Sequence, residues 1–160
     1  MRDVYIAVVG PSAATPAEHQ LGEEVGRLIA EAGAVLVCGG LGGLMEAAAS
    51  GCAKAGGRSV GILPGESRRG ANPYLTVAVA TGMGEARNAI VVRSADAVIA
   101  VSGEFGTLSE IALALKMGKP VVGLGTWELA KGGRPVEAIV RVASPEEAVS
   151  TALRLAELRA

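Results

Sequence analysis

The chain has 160 residues and a formal net charge of −1, with 15 Lys and Arg against 16 Asp and Glu. Half of it is hydrophobic and 19% is charged, which excludes a disordered chain, and the near-neutral balance argues against a nucleic-acid partner. Aromatics are only 2%, so the core must be built from Val, Ile, Leu and Ala, a palette that suits parallel strands buried on both faces. One domain over residues 1–160 is the expectation for this length.

Val4 to Val9 reads as a buried strand, broken by Gly10-Pro11-Ser12. Thr15-Pro16-Ala17-Glu18 opens a helix, with Thr15 as N-cap, Pro16 in the first turn and Glu18 closing a capping box. Leu21, Val25, Leu28 and Ile29 follow at helical spacing, and Gly33 stops the helix. Ala34 to Val37 is a second strand. It runs into Cys38-Gly39-Gly40-Leu41-Gly42-Gly43, which opens a helix through about Ala55. Ser59 to Leu63 is a third strand, residues 65–74 a polar loop, and Leu75 to Ala80 a fourth strand. Gly82-Met83-Gly84 leads into a helix from about Glu85 to Ser94.

Residues 95–124 form the central unit. An apolar run, Ala97 to Val101, ends in the turn Ser102-Gly103-Glu104-Phe105-Gly106. A helix from Thr107 to Met117 follows, then Gly118-Lys119-Pro120 and a second apolar run from Val121 to Leu124. Beyond it come a short helix or loop from Trp127 to Arg134 and a strand at Ile139 to Val142. Ser144-Pro145-Glu146-Glu147 caps a terminal amphipathic helix, with Ala148, Ala152, Leu155 and Leu158 along one side. Strand and helix alternate throughout. The predicted fold is α/β, a single Rossmann-like doubly wound parallel sheet with helices on both faces. In such sheets the turns at Gly10–Ser12, Gly39–Gly43, Gly82–Arg87 and Ser102–Thr107 converge on the carboxyl edge, where ligands bind.

The turn from Ser102 to Thr107 is a candidate phosphate cradle, or an ordinary tight turn before a helix. No Gly-Lys-Ser/Thr follows, so it is not a P-loop. Glu104 would repel phosphate unless it points away, pairs with a cation or marks a different ligand. Glu110 is either an acid/base carboxylate or the end of a capping box begun by Thr107. Arg87 falls in a first helical turn, where the dipole disfavours a cation by up to about 1 kcal/mol. That placement suggests a nearby anion, a ligand phosphate or a carboxylate such as Glu110 or Glu104. Cys38, Cys52 and His19 make neither a disulfide framework nor a metal site. The start of the chain has no signal-peptide anatomy, and no apolar run reaches the roughly 18–20 residues of a membrane span. A cytoplasmic protein with no membrane partner is expected.

Three segments together resemble a known superfamily. They are Gly39-Gly40-x-Gly-Gly-Leu-Met-Glu, Met83-Gly84-Glu85-Ala86-Arg87-Asn88 and Gly103-x-Phe-Gly-Thr-Leu-Ser-Glu110. The superfamily was once labelled possible lysine decarboxylases. It includes the LOG cytokinin-activating phosphoribohydrolases and the molybdenum cofactor carrier proteins, and the sequence looks closer to the carrier branch. LOG enzymes carry Pro-Gly-Gly-x-Gly-Thr-x-x-Glu and cleave the N-glycosidic bond of nucleoside 5′-monophosphates. Here Ser102 replaces the proline, Glu104 the second glycine, and Asn88 the basic residue after the arginine. No lysine sits in a recognisable Schiff-base setting, which argues against decarboxylation.

The resemblance implies a bound nucleotide or molybdopterin-type ligand, no required cofactor, and a homo-oligomer, dimer or larger. If the protein is an enzyme, Arg87 and Glu110 would be catalytic and the activity that of a phosphoribohydrolase. The ligand site would comprise Gly10, Ser12, Gly39, Gly40, Gly42, Gly43, Met83, Arg87, Asn88, Gly103, Glu104, Phe105, Gly106 and Thr107, with no metal.

Overall fold

A computed structural model describes residues 2–160. The first half contains β1 (Tyr5–Val9), α1 (Pro16–Glu31), β2 (Val35–Cys38), α2 (Leu44–Lys54), β3 (Arg58–Leu63) and β4 (Val77–Ala80). A single 3-10 turn, Gly84–Ala86, then leads into α3 (Arg87–Ser94), β5 (Ala97–Val101), α4 (Phe105–Lys116) and β6 (Val121–Leu124). Last come β7 (Leu129–Lys131), β8 (Arg134–Val136), β9 (Ile139–Val142) and α5 (Pro145–Glu157).

Seven strands make one parallel sheet in the order β4-β3-β2-β1-β5-β6-β9. The first four strands run outward from β1 to one edge. The chain then returns to the other side of β1 and builds outward again, so the order reverses between β1 and β5. This is the doubly wound Rossmann-like architecture.

Strand periodicity sorts the core into two layers. Ile6, Val8, Leu36 and Ile99 face α1, α2 and α5, while Ala7, Val9, Val37 and Val98 face α3 and α4. Every residue of β5 is fully buried, and each such Val or Ile contributes about 1.5–3 kcal/mol.

The capping box of α1 forms as predicted. Thr15 Oγ1 accepts from the Glu18 N–H at 3.2 Å, and the Glu18 carboxylate accepts from the Thr15 N–H at 2.9 Å. Val25 and Ile29 are buried, but so are Gly22 and Gly26. A Cβ on Gly26 would lie 1.9 Å from the Ala48 carbonyl oxygen, and one on Gly51 would lie 1.9 Å from that of Glu23. The backbones of α1 and α2 therefore touch. That contact fixes where α2 begins relative to the ends of β1 and β2.

Several boundaries differ from expectation. Trp127–Arg134 holds no helix; β7 and β8 form an antiparallel hairpin, joined by Gly132 and Gly133 at φ +57° and +77°. Two successive positive φ values make the primed turn that matches strand twist. The Gly-Gly signal was present, but Leu-Ala-Lys and Arg-Pro-Val lack a clear strand alternation. The fourth strand starts at Val77 rather than Leu75. Leu158 lies beyond α5 and is exposed, so it is not part of the helix's buried face. Among the described residues no helix is long and apolar enough to cross a membrane.

Gly26→Ala should destabilise the protein by about 1–3 kcal/mol in urea unfolding, because the helices must separate. At an open helical site the same change would stabilise by up to about 1 kcal/mol, so the sign of the effect tests the backbone contact.

Candidate functional site

At the β1/β5 reversal a cleft of about 500 Å³ opens beyond the strand ends. Gly10, Ser12, Thr15 and Glu18 line it after β1, and Gly39, Leu41 and Met45 after β2. Glu85, Arg87 and Asn88 approach from the start of α3, and Glu104, Gly106, Thr107 and Glu110 from α4. A hollow of about 580 Å³ beside the β7–β8 hairpin is larger but contains none of the strand-end turns. Among the described residues no group of three or more His, Cys, Asp or Glu could hold a metal ion.

The helix α4 begins two residues earlier than expected, at Phe105, with Glu104 as its N-cap. No side chain caps it, and its first helical bond runs from the Leu108 N–H to the Glu104 carbonyl at 3.0 Å. The N–H groups of Phe105, Gly106 and Thr107 therefore lack helical acceptors. Thr107 is 2% exposed and its hydroxyl has no hydrogen-bond partner among the described residues. An orphaned buried hydroxyl costs about 1–3 kcal/mol. It sits against the backbone of Gly103, whose added Cβ would lie 2.4 Å from Thr107 Oγ1.

Because Thr107 lies inside the helix, the capping box with Glu110 does not form. Glu110 is 8% exposed and lines the cleft with no hydrogen bond or ion pair among the described residues. Burial pushes its carboxyl up to about 7, against an opposing pull from Arg87. Its neutral, protonated form therefore persists to much higher pH than in an exposed glutamate.

Arg87 makes no ion pair among the described residues, contrary to the carboxylate pairing considered for it. Its Nε donates to the Ile62 carbonyl at 2.9 Å, and a terminal nitrogen donates to Asn88 Oδ1. Asn88 in turn donates to Ser109 Oγ at 3.3 Å. A Cβ on Gly39 would lie 2.7 Å from Arg87 Nη2, so this glycine makes room for the guanidinium. Among the described residues Arg87 is the only basic side chain lining the cleft, against the carboxylates of Glu18, Glu85, Glu104 and Glu110. Glu104 thus faces the cleft and finds no cation partner among the described residues.

Ser102 stands at φ +50°, the one non-glycine residue at positive φ among those described. Its N–H donates to the Leu124 carbonyl at 3.0 Å, and its own carbonyl accepts from Thr126 Oγ1 at 2.6 Å. Proline is locked near φ −65°, so the LOG proline could not occupy this backbone.

Of the predicted ligand residues, Gly10, Ser12, Gly39, Arg87, Asn88, Glu104, Gly106 and Thr107 line the cleft. Gly40, Gly42, Gly43, Met83, Gly103 and Phe105 do not. Gly40 packs against Gly61 and Leu63, and Gly43 is the N-cap of α2 against the Pro11 and Ser12 carbonyls. Their glycine signal records close packing. Thr15, Glu18, Leu41, Met45 and Glu85 line the cleft and were missed. The capping-box role of Thr15 and Glu18 hid their second position; the Ser102 hydroxyl and the Thr15 N–H hold the Glu18 carboxyl below its usual range. Cys38 and Cys52 are buried, and burial pushes the Cys38 thiol up to about 11, which leaves it inert.

Two substitutions test this geometry. A carboxyl raised from 4.5 to about 7 costs stability as pH climbs through that window, because the unfolded chain releases the proton first. Glu110→Gln should match the parent near pH 4 and exceed it at pH 8 by up to about 3 kcal/mol in urea unfolding. Thr107→Val, which removes an unpaired hydroxyl, should raise stability by about 1 kcal/mol in the same measurement.

The chain matches a known family over residues 3–149, described as LDcluster4, the SLOG cluster4 family. A protein of Archaeoglobus fulgidus described only as uncharacterized is 44% identical over 150 residues, 94% of this chain and 95% of that one. The molybdenum cofactor binding protein of Rippkaea orientalis has a similar structure, with TM-score 0.87 and 36% identity over 97% of this chain and 98% of that one. The molybdenum cofactor carrier protein of Chlamydomonas reinhardtii gives TM-score 0.85 and 33% identity over 96% and 98%. With this match spanning every strand of its sheet and the whole cleft, the chain belongs to the SLOG cluster4 family of the LOG-like superfamily.

Proposed function

We propose that the protein binds a phosphorylated, nucleotide-like small molecule in the cleft at the β1/β5 reversal, as a carrier that does no chemistry on it. The observation that carries this reading is the buried, unpartnered Thr107 hydroxyl beside the uncapped N-terminus of α4. A phosphate there would accept from the Phe105, Gly106 and Thr107 N–H groups, from Thr107 Oγ1 and from Arg87. Charge-assisted bonds of this kind contribute about 1.5–3 kcal/mol each, and the helix dipole adds to them. Glu85 and Glu104 would then accept from hydroxyl or amino groups elsewhere on the ligand. The printed descriptions of the two structural relatives support a molybdopterin-type ligand. On the same footing we read the chain as a single domain that forms a homo-oligomer. Exposed apolar side chains at Val77, Val79 and Val140 support the latter.

Glu110 favours a second reading, a LOG-like phosphoribohydrolase. A cleft-facing carboxyl poised at about 7 can pass a proton or position water at neutral pH. Attack of that water on the ribose anomeric carbon would break the N-glycosidic bond, and the base would leave with a proton. Arg87 would orient the substrate.

Incubation with AMP and a panel of other nucleoside 5′-monophosphates, followed by chromatography for free base, separates the two. The carrier reading expects binding without free base. Free base that disappears in Glu110→Ala would make the protein a hydrolase.

A further inference from the structure

The cleft does not end at the first turn of α4. A second hollow of about 550 Å³ lies between α3 and α4 and shares Glu85, Asn88 and Gly106 with it. Ala86, Ala89 and Leu113 give it an apolar floor, and Phe105 stands at its side. An added Cβ on Gly106 would meet nothing within 4 Å, so the space beside this shared residue is open.

Phe105 is 75% exposed at the first residue of α4, an unfavourable place for the chain's one phenylalanine. Its ring is held in position. Trp127, the one tryptophan, packs against it with centroids 5.5 Å apart and planes tilted by 39°. The Trp127 indole N–H is anchored on the Glu104 carbonyl at 3.1 Å. The polar groups of the hollow are mostly spent on one another. Asn88 donates to Ser109, and Ser109 donates to the Gly106 carbonyl at 2.7 Å. The Glu85 carboxylate makes no hydrogen bond among the described residues and stands free at the rim both hollows share.

An apolar floor, a braced aromatic ring and one free acceptor suit a flat heterocycle with an amino group. We propose that this hollow is the ring-binding annex of the cleft. Resting on the phosphate reading above, it takes a purine-like bicyclic heterocycle bearing an exocyclic amine, whose attached phosphate sits at the N-terminus of α4. The ring stacks on Phe105, and the amine donates to Glu85. The phosphate and the ring then lie on the two sides of Gly106.

The test compares GMP with ribose 5-phosphate, which keeps the phosphate and sugar and lacks the ring. Affinities are measured by calorimetry on the parent, Phe105→Ala and Phe105→Tyr, and Trp127 emission is followed during the titrations. GMP should bind at least tenfold more tightly than ribose 5-phosphate. Phe105→Ala should weaken GMP by about tenfold, within the range for base stacking on an aromatic side chain, and leave ribose 5-phosphate within twofold. Phe105→Tyr should restore GMP binding, and only GMP should change Trp127 emission. Ribose 5-phosphate binding as tightly as GMP would overturn the annex while the phosphate site stands. Equal weakening of both ligands by Phe105→Ala would do the same. So would a shift of oligomeric state in Phe105→Ala with the GMP preference intact, which would make this face a contact between copies. Failure of both ligands to bind would remove the phosphate site and the annex with it.

Discussion

The reversal of strand order between β1 and β5 governs the rest of the molecule. Every strand of the main sheet runs the same way, so each crossover must pass over a face of the sheet and return to its starting end. On either side of the reversal the crossovers depart in opposite directions. The ends of β1 and β5 are left uncovered between them. Helix positions follow from this. The α1–α2 pair closes one side of the opening through backbone contact at Gly26 and Gly51, while α3 and α4 close the other.

Electrostatics at that opening are mixed, and the proposed phosphate would meet more acidic than basic side chains. Four carboxylates line it against one guanidinium, and the guanidinium is anchored on a backbone carbonyl and an amide rather than on any acid. The groups that would favour the proposed phosphate are mostly uncharged: three N–H groups without helical acceptors and an unpaired hydroxyl at α4. Fixed dipoles of this kind need no reorganisation when a ligand arrives. On the proposed reading, the carboxylates would add selectivity for ligands that carry donors away from their phosphate. The strained Ser102 belongs to the same design, since its left-handed backbone sets the course of the chain into Gly103 and Glu104.

Much of this was legible in the residues. Buried strands, glycine turns and the first and last caps are local signals, and each formed close to where spacing placed it. The candidate site was harder to read, because its residues speak in two registers. Thr107-Leu108-Ser109-Glu110 has the same form as Thr15-Pro16-Ala17-Glu18, yet only the second is a cap. The difference lies two residues upstream, where the chain turns helical at Phe105 and carries Thr107 past the cap position. Glycines are ambiguous in the same way. Gly39 yields space to Arg87, whereas Gly40 and Gly43 yield it to neighbouring backbone and to Leu63.

Sequence by itself determined the alternation of strand and helix, the burial of both sheet faces, and the gathering of the glycine turns at the carboxyl edge. These follow from local periodicity and from the absence of aromatic and charged residues in β2, β5 and β6. Only the tertiary structure decided which carboxylates and hydroxyls face the cleft. It also decided that Glu110 is desolvated rather than capping, and that Phe105 and Trp127 meet 22 positions apart at its margin. Orientation and desolvation depend on neighbours brought together by the β1/β5 reversal, and no stretch of local sequence encodes those neighbours.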